Sequence, residues 1–308
     1  MGAAKTLRRP FHRDTFSDGA FTPIQSESET IKALLVNAHP DDESESAGVI
    51  YRITHELGGT VDQVVVTNGE AGHQYAALAE AFYRLPLTTA AARRDILGSI
   101  RRQELMRASR ILGIRHSYFL NQTDTGVTRS AIDALEAWDI AHIRQELRAL
   151  LEFGHYNLVL VLLPTADTHG HHQTVAVLTL EAIAGMETED RPVVSGVCTA
   201  PSGAAAPAVF SELTGYPVTR TTTPEPFWSF DRRSPLACHQ SLNYGIVVNW
   251  VVAEHKSQGF FQLENGRRTH EHFWLFGAAG KAGVARARDF VQAIERNSLS
   301  RECVGTAA

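Results

Sequence analysis

The chain has 308 residues, of which 44% are hydrophobic and 20% charged, and its formal net charge is -5 with histidine neutral. A chain of this size can bury a large core, whereas its mildly negative charge, without a basic patch, argues against a nucleic-acid partner. No apolar run reaches the length of a membrane span and no secretion-signal segment follows the early basic residues, so we expect a cytoplasmic protein without a membrane partner.

Strand-like apolar runs alternate with helical patterns along most of the chain. This alternation predicts βαβ units, and therefore an α/β fold with a Rossmann-like, mostly parallel sheet and helices on both faces. We predict an extended N-terminal arm over residues 1–30 and a single domain over residues 31–308. The predicted strands cover residues 32–37, 62–67, 116–121, 157–163 and 192–198, and the predicted helices cover residues 45–57, 91–113, 131–153 and 172–186.

The pattern becomes less regular in the C-terminal third, where we predict a small added β region. No Gly-x-Gly-x-x-Gly sequence follows the first strand of the domain, so the Rossmann-like pattern does not predict a dinucleotide cofactor. The elements expected here are short strands at residues 216–223 and 227–230, a helix at 242–261, a strand at 273–276 and a terminal helix at 283–296.

The three cysteines are far apart in the sequence. Cys198, Cys238 and Cys303 therefore offer neither a zinc knuckle nor a disulfide framework. Reduced thiols agree with the cytoplasmic location that we expect.

A polar cluster follows the first strand of the domain. Residues 37–46 read Asn-Ala-His-Pro-Asp-Asp-Glu-Ser-Glu-Ser, and Pro40 ends the strand directly after His39. In open α/β sheets ligands bind at this carboxyl edge. An imidazole and the carboxylates of Asp41 and Asp42 in one turn are electrostatically costly unless a cation neutralises them. The alternative is an acidic helix start that meets only the helix dipole.

A second polar cluster follows the predicted strand at residues 157–163. His169 and His172 are three apart at a predicted helix start, so one turn can direct both rings into one cavity. Taken alone, this cluster is as consistent with a solvated loop as with a site. Together, His39, Asp42 and His172 form a two-histidine, one-carboxylate set, which suits a catalytic zinc with an open fourth position.

These two clusters resemble the signature of a known family. Ala-His-Pro-Asp-Asp-Glu at residues 38–43 and His-x-x-His at residues 169–172 are similar to the motifs of the PIG-L/LmbE-like zinc-dependent N-deacetylases. The resemblance extends over about residues 31–262. Less specific matches to the family lie at residues 67–72, 102–124 and 254–258.

The resemblance implies roles for five residues. It implies zinc on His39, Asp42 and His172, although Fe²⁺ or Co²⁺ could occupy the same ligands. It implies that Asp41 is the general base as metal-bound water attacks an amide carbonyl, and that His169 assists as an acid or oxyanion partner. Which of Asp41 and His169 protonates the leaving amine stays open.

The chain departs from the family pattern in two places. His171 stands where the family usually has an aspartate that orients a ligand, and it is also a competing candidate ligand. The segment at residues 73–100 is longer than in compact relatives and forms either a substrate lid or a plain surface excursion. We expect His255 and Gln258 to hold neighbouring backbone at the sheet edge rather than to contact substrate.

The resemblance implies a hydrolase that removes an N-acyl group, first of all acetyl, from an amino-sugar-containing small molecule. Its partner would be that N-acylated amino sugar or conjugate. Two alternatives stay open: an amidase for a different amide, such as a thiol conjugate, and a catalytically silent metal-binding protein. The sequence also leaves open whether the chain forms a homo-oligomer.

Overall fold

One eight-stranded sheet organises the protein. We describe a computed structural model, in which the strands of this sheet lie in the order β1-β4-β3-β2-β5-β6-β10-β7. The strands are β1 (Arg13–Thr15), β2 (Lys32–Asn37), β3 (Thr60–Thr67), β4 (Ile114–Gln122), β5 (Leu158–Leu162), β6 (Val193–Pro201), β7 (Trp228–Asp231) and β10 (Arg268–Leu275), and a separate pair consists of β8 (Pro235–Leu236) and β9 (His239–Asn243). The structure describes residues 13–15, 30–92, 96–201, 209–237, 239–259, 262 and 267–295.

The five central strands, from β4 to β6, are parallel, whereas β1, β10 and β7 run antiparallel to their neighbours at the two edges. The helices are α1 (Ala47–Tyr51), α2 (Ala77–Tyr83), α3 (Ala90–Ala92), α4 (Gly98–Leu112), α5 (Ala131–Ala137), α6 (Ile140–Gly154), α7 (Gly170–Ala184), α8 (Tyr244–Glu254) and α9 (Gly280–Glu295). Shorter 3₁₀ turns cover Asp42–Ser46, Glu70–Tyr75, Pro217–Thr219 and Gly277–Ala279, and a π-helical turn, Arg52–Glu56, continues α1.

Both faces of the sheet are covered, which explains the continuous apolar runs at residues 33–36 of β2 and along all of β5. In β2, Leu34 and Val36 join the core that packs against α5, α6 and α7. Ala33 and Leu35 point to the other face, where the core includes residues of α1, α4, α8 and α9. The predicted parallel sheet with helices on both faces is therefore confirmed.

The direction of winding reverses between β2 and β5. The chain adds β3 and β4 on one side of β2, and then β5 and β6 on the other side. The loops that leave β2 and β5 therefore meet at the carboxyl edge of the sheet, at the topological switch point where open α/β sheets bind ligands. These loops carry the two polar clusters of the sequence.

The C-terminal third differs in part from its prediction. β7 and β10 extend the main sheet, and β8 with β9 forms the small separate β region. The predicted strand at residues 216–223 is wrong, because a 3₁₀ turn forms at Pro217–Thr219. Pro217 has no N–H for a ladder. The Thr219 hydroxyl also holds the turn by donating to the Tyr216 carbonyl over 2.7 Å.

Two helices in the structure differ clearly from their predicted boundaries. The helix expected at residues 131–153 is divided into α5 and α6, because Asp139 accepts the His142 N–H over 3.0 Å and so starts a new helix. The helix expected at residues 242–261 ends at Glu254, where the next residue, His255, leaves helical geometry.

Only Arg13–Thr15 and Thr30 of the predicted N-terminal arm are described, and Arg13–Thr15 pairs with β4. The division into an arm and one domain stays a prediction. Among the described helices, none combines the length and apolar character that crossing a membrane requires.

Candidate metal centre and active site

The loop after β2 fixes one carboxylate by its own backbone. Asp42 Oδ2 accepts the N–H groups of Ala38 and His39, each over 2.9 Å. The other oxygen, Oδ1, lies 3.1 Å from His172 Nε2. The loop thus directs one oxygen of a buried carboxylate towards the histidines that follow β5.

The start of α7 orients those histidines. His169 caps the helix, since its Nδ1 accepts the His171 N–H over 3.1 Å. His172 Nδ1 lies 3.2 Å from Thr168 Oγ1, which leaves Nε2 facing the β2 loop. Glycine is required at position 170, because a Cβ there would lie 2.3 Å from the Ser130 carbonyl oxygen.

Two groups of side chains in the described part of the chain could hold a metal ion. The first group is His39, Asp42 and His172. His172 Nε2 lies 3.2 Å from His39 Nδ1 and 3.1 Å from Asp42 Oδ1, and the remaining pair is 3.8 Å apart. Ligands on a tetrahedral zinc with bonds of roughly 2.0–2.2 Å lie about 3.3–3.6 Å apart. The donor set and its spacing therefore fit such an ion.

The second group is His39, His169 and His171. Here His39 Nε2 lies only 2.9 Å from His171 Nδ1, which is further below the separation of about 3.3–3.6 Å expected between ligands of a tetrahedral zinc. His169 Nδ1 is already engaged by the backbone of the helix start. The first group consequently fits a metal better than the second.

Asp41, the predicted general base, has a strained backbone with φ of 137° and ψ of -18°. Its N–H donates to Glu43 Oε2 over 3.1 Å, and its carboxylate accepts from Arg101 Nη2 over 2.9 Å. Arg101 also donates to the carbonyl groups of Pro40 and Gly69, over 2.7 and 2.6 Å. The buried guanidinium thus joins the β2 loop to the β3 loop around Asp41.

Gly69 makes room for this guanidinium. Its φ of 67° lies in the left-handed region, which favours glycine. A Cβ at this position would lie 2.1 Å from Arg101 Nη1. The position of Arg101 therefore depends on a glycine in the loop after β3.

A buried pair lies behind Asp41. His255 Nε2 and Glu43 Oε1 are 2.5 Å apart and both side chains are fully buried. The expectation that the His255 side chain holds neighbouring backbone is wrong, because its partner is this carboxylate. Gln258 does bond backbone, since its Nε2 donates to the Ser257 carbonyl over 3.0 Å.

Residues of the C-terminal strands hold the β2 loop in place through hydrogen bonds. Glu271 on β10 accepts the N–H groups of Gly48 and Val49, over 2.7 and 3.1 Å, and so binds the start of α1. Arg232 donates to Glu271 over 2.8 Å and to the Ser44 carbonyl over 2.6 Å. Residues 188 to 223 positions away in the sequence thereby set the position of the β2 loop.

Burial and neighbouring charges shift the pKa values of the two adjacent carboxylates in opposite directions. Burial raises the pKa of Asp41 to about 6, although the Arg101 guanidinium opposes the shift. Burial also acts to raise the pKa of Asp42, but the His172 and His39 rings outweigh it and hold that pKa well below its usual range. Burial, together with the rings of His39 and His172, lowers the pKa of His169 to about 4.

The structure brings the five predicted site residues together at one edge of the sheet. His39, Asp41 and Asp42 lie on the β2 loop, and His169 and His172 lie at the start of α7. Arg101 was missed, although the sequence carried a signal for it. It shares the buried face of α4 with residues 105, 108 and 112, and a charge at such spacing indicates a buried partner.

The segment at residues 73–100 exposes several large apolar side chains. Leu78 and Phe82 on α2 are exposed, whereas the Tyr83 hydroxyl donates to Glu104 over 2.7 Å and ties α2 to α4. Residues 93–95 lie outside the described residues. The choice between a lid and a surface excursion stays open.

Fold and site together define a class: an α/β protein with a candidate mononuclear metal centre at the switch point of its sheet. Residues 34–183 match the family described as "PIG-L: GlcNAc-PI de-N-acetylase". This match covers slightly less than half of the chain and supports the PIG-L/LmbE-like family that the resemblance implied.

One curated relative is a Bacillus cereus protein named "Probable N-acetyl-alpha-D-glucosaminyl L-malate deacetylase 2". It is 24% identical over 164 residues, which are 53% of this chain. The match spans 66% of the relative, slightly less than two thirds of its length. The relative's activity therefore bears on this chain only as a proposal.

Two solved structures share the fold. The 4-carboxy-2-hydroxymuconate hydratase GalB of Pseudomonas putida KT2440 has a TM-score of 0.52 at 17% identity, over 80% of this chain and 95% of that one. A deacetylase of the teicoplanin biosynthesis pathway has a TM-score of 0.51 at 14% identity, over 80% and 98%. At these identities the likeness supports the fold alone, and the two proteins catalyse different reactions.

Proposed function

We propose that the chain is a metal-dependent amide hydrolase that removes an N-acyl group, foremost N-acetyl, from an amino-sugar-containing small molecule. One observation carries the proposal: the donor group of His39, Asp42 and His172 lies beside a carboxylate, Asp41, that is not needed as a ligand. The family match and the deacetylase name of the Bacillus cereus relative support the substrate class.

His39, Asp42 and His172 would hold the metal ion, with zinc as the first candidate and Fe²⁺ or Co²⁺ as alternatives. When bound, the ion supplies Lewis acidity that activates water and polarises the amide carbonyl. The fixed carboxylate Oδ2 of Asp42, which accepts two backbone N–H groups, keeps Oδ1 in place as a donor.

Asp41 acts as the general base that takes a proton from the attacking water. Arg101 and the Asp41 N–H bond to Glu43 restrict the carboxylate to one orientation. That restriction supports proton transfer, because a base must lie within hydrogen-bond reach of the proton that it removes. The proton held on Asp41 is then available to the leaving amine.

His169 donates a hydrogen bond to the carbonyl oxygen as negative charge develops there. Its Nδ1 accepts a backbone N–H, so a neutral His169 carries its proton on Nε2. The ring is only partly buried and lies 5.0 Å from the His39 ring, between centroids. A donor fixed in this way stabilises the oxyanion without reorientation during the reaction.

The test is primary-amine release by zinc-loaded protein from N-acetylated and longer N-acylated amino sugars, with thiol-conjugate amides in the same panel. Asp41→Asn should lower kcat by about 10²–10⁴-fold, the range for loss of a general base, while zinc stoichiometry stays at the wild-type value. Asp167→Asn is the matched control, since its side chain is 95% exposed on the loop after β5.

Release from amino sugars that depends on Asp41 would support the proposed function. Release only from thiol conjugates would move the assignment to the amidase alternative. Stoichiometric zinc without release from any amide would favour the silent metal-binding protein, and full activity of Asp41→Asn would refute the role of Asp41.

A further inference from the structure

His171 is the residue at which this chain departs from its family, and its surroundings are unusual for a spare histidine. The side chain is fully buried between the His39 ring and Trp138. Its Nδ1 lies 2.9 Å from His39 Nε2, and its Nε2 lies 2.8 Å from Thr125 Oγ1. Both ring nitrogens are therefore within hydrogen-bond distance of a partner.

We propose that His171 is a positioning residue: it accepts a hydrogen bond from His39 Nε2–H and so leaves His39 Nδ1 free to bind the metal. A neutral imidazole has one donor and one acceptor nitrogen, so a metal on His39 Nδ1 fixes both tautomers through these contacts. His39 donates to His171, and His171 donates through Nε2–H to the Thr125 hydroxyl. The inference rests on the metal centre of the proposed function, and not on the substrate.

Asp124 is not the group that contacts His171 Nδ1. Asp124 Oδ1 lies 3.8 Å from His171 Nδ1, which is too long for a hydrogen bond. Its two oxygens accept the N–H groups of Ala71 and Gly126, each over 2.9 Å, and so hold the loops after β3 and β4. An uncharged ring thus takes the place of the carboxylate that orients metal-binding histidines in many sites.

A pair of variants separates positioning from ligation. Asparagine has an acceptor oxygen close to the position of histidine Nδ1, so His171→Asn keeps the bond from His39, whereas His171→Ala removes it. We expect zinc affinity, measured by chelator competition, to fall about 10–100-fold in His171→Ala, the range for lost ligand support. His171→Asn should stay within about 3-fold of wild type. His142→Ala, a half-exposed histidine on α6, is the control.

X-ray absorption of the zinc-loaded proteins gives the second readout. Two imidazole ligands should be counted in the wild type and in both variants. Loss of one imidazole in His171→Ala and His171→Asn would make His171 a ligand and overturn the proposal. Unchanged affinity in His171→Ala would overturn it as well.

A third readout needs no substitution, which keeps the proposal testable where His171→Ala does not fold. Histidine ¹⁵N spectra of the zinc-loaded wild type should show His39 and His171 each protonated at Nε2. Protonation of His171 at Nδ1 would contradict the proposal. A wild type that binds zinc but hydrolyses no amide would refute the proposed function alone, whereas a wild type that binds no zinc would refute both.

Discussion

The site consists of two regions with different surroundings. The metal-facing loops carry His169 and His172, which are partly exposed, and their side chains converge on an edge of the sheet that substrate can reach. The supporting region behind them consists of buried charges, among them Arg101, Arg232 and Glu271. A buried charge is tolerated only when it is paired, so each of these groups is tied to a single arrangement. Under the proposed function, the loops would provide the reacting groups and the buried charges would hold these groups in place.

The largest expected effect is on stability, in the supporting region. Arg232→Leu leaves the buried Glu271 without its cationic partner, and breaking such a pair costs about 3–5 kcal/mol of unfolding free energy. The adjacent Arg233→Leu is the control, because Arg232 is 6% exposed and Arg233 is 54% exposed. Its ion pair with Asp231 is exposed to solvent and should contribute little to stability. Urea unfolding of both variants measures the difference, and equal losses would remove the distinction between the two regions.

A smaller effect is expected on turnover, where the regions meet. Arg101→Gln frees the Asp41 carboxylate, so kcat should fall about 10–100-fold while KM and zinc content stay near wild type. Arg102→Gln is the matched control, because Arg102 contacts Asn121 and Phe119 instead. Steady-state kinetics with zinc analysis tests this. A fall in zinc content that accounts for the lost activity would show that Arg101 supports the fold of the loop rather than the base.

The smallest effect concerns a buried cluster in the amino-terminal half of β3, away from the site. Burial alone would raise the pKa of Asp62, but hydrogen bonds from Arg115 and Tyr156 outweigh it and lower that pKa. Asp62→Asn should therefore cost about 1.5 kcal/mol of stability at pH 7, with kcat unchanged.

The stability that Asp62 contributes should depend on pH in a definite direction. A carboxyl with a lowered folded pKa stabilises the protein above its unfolded pKa, and this contribution is lost as the pH falls further. The unfolding free energies of wild type and Asp62→Asn should consequently converge as the pH drops below about 4. A difference that stays constant down to pH 2, or a change in kcat, would contradict this explanation.

The two regions also differ in how far the sequence predicts them. His39, Asp42 and His172 follow apolar strands in short polar motifs, and parallel strands bring their carboxyl ends together, so local patterns were sufficient to predict the central strands and this cluster. The bond between Glu43 and His255 spans 212 positions, and the bond between Gly48 and Glu271 spans 223. Sequence periodicity does not relate residues so far apart, so their pairing could not be predicted without the structure.

Turn chemistry explains the errors in the fold. The apolar and β-branched content of residues 216–223 favoured a strand, but Pro217 and the Thr219 hydroxyl close a turn instead. Asp139 likewise starts a new helix inside a continuous helical pattern. In both cases one side chain with a local backbone partner outweighed the periodicity of its neighbours.

Anomalous diffraction at the zinc edge, from crystals of the zinc-loaded protein, tests the central claim most directly. The account predicts one peak within roughly 2.0–2.2 Å of His39 Nδ1, Asp42 Oδ1 and His172 Nε2. His171 should lie outside bonding distance and keep its contact with His39 Nε2. A peak bonded by His169 and His171, or no peak at this edge of the sheet, would contradict the account.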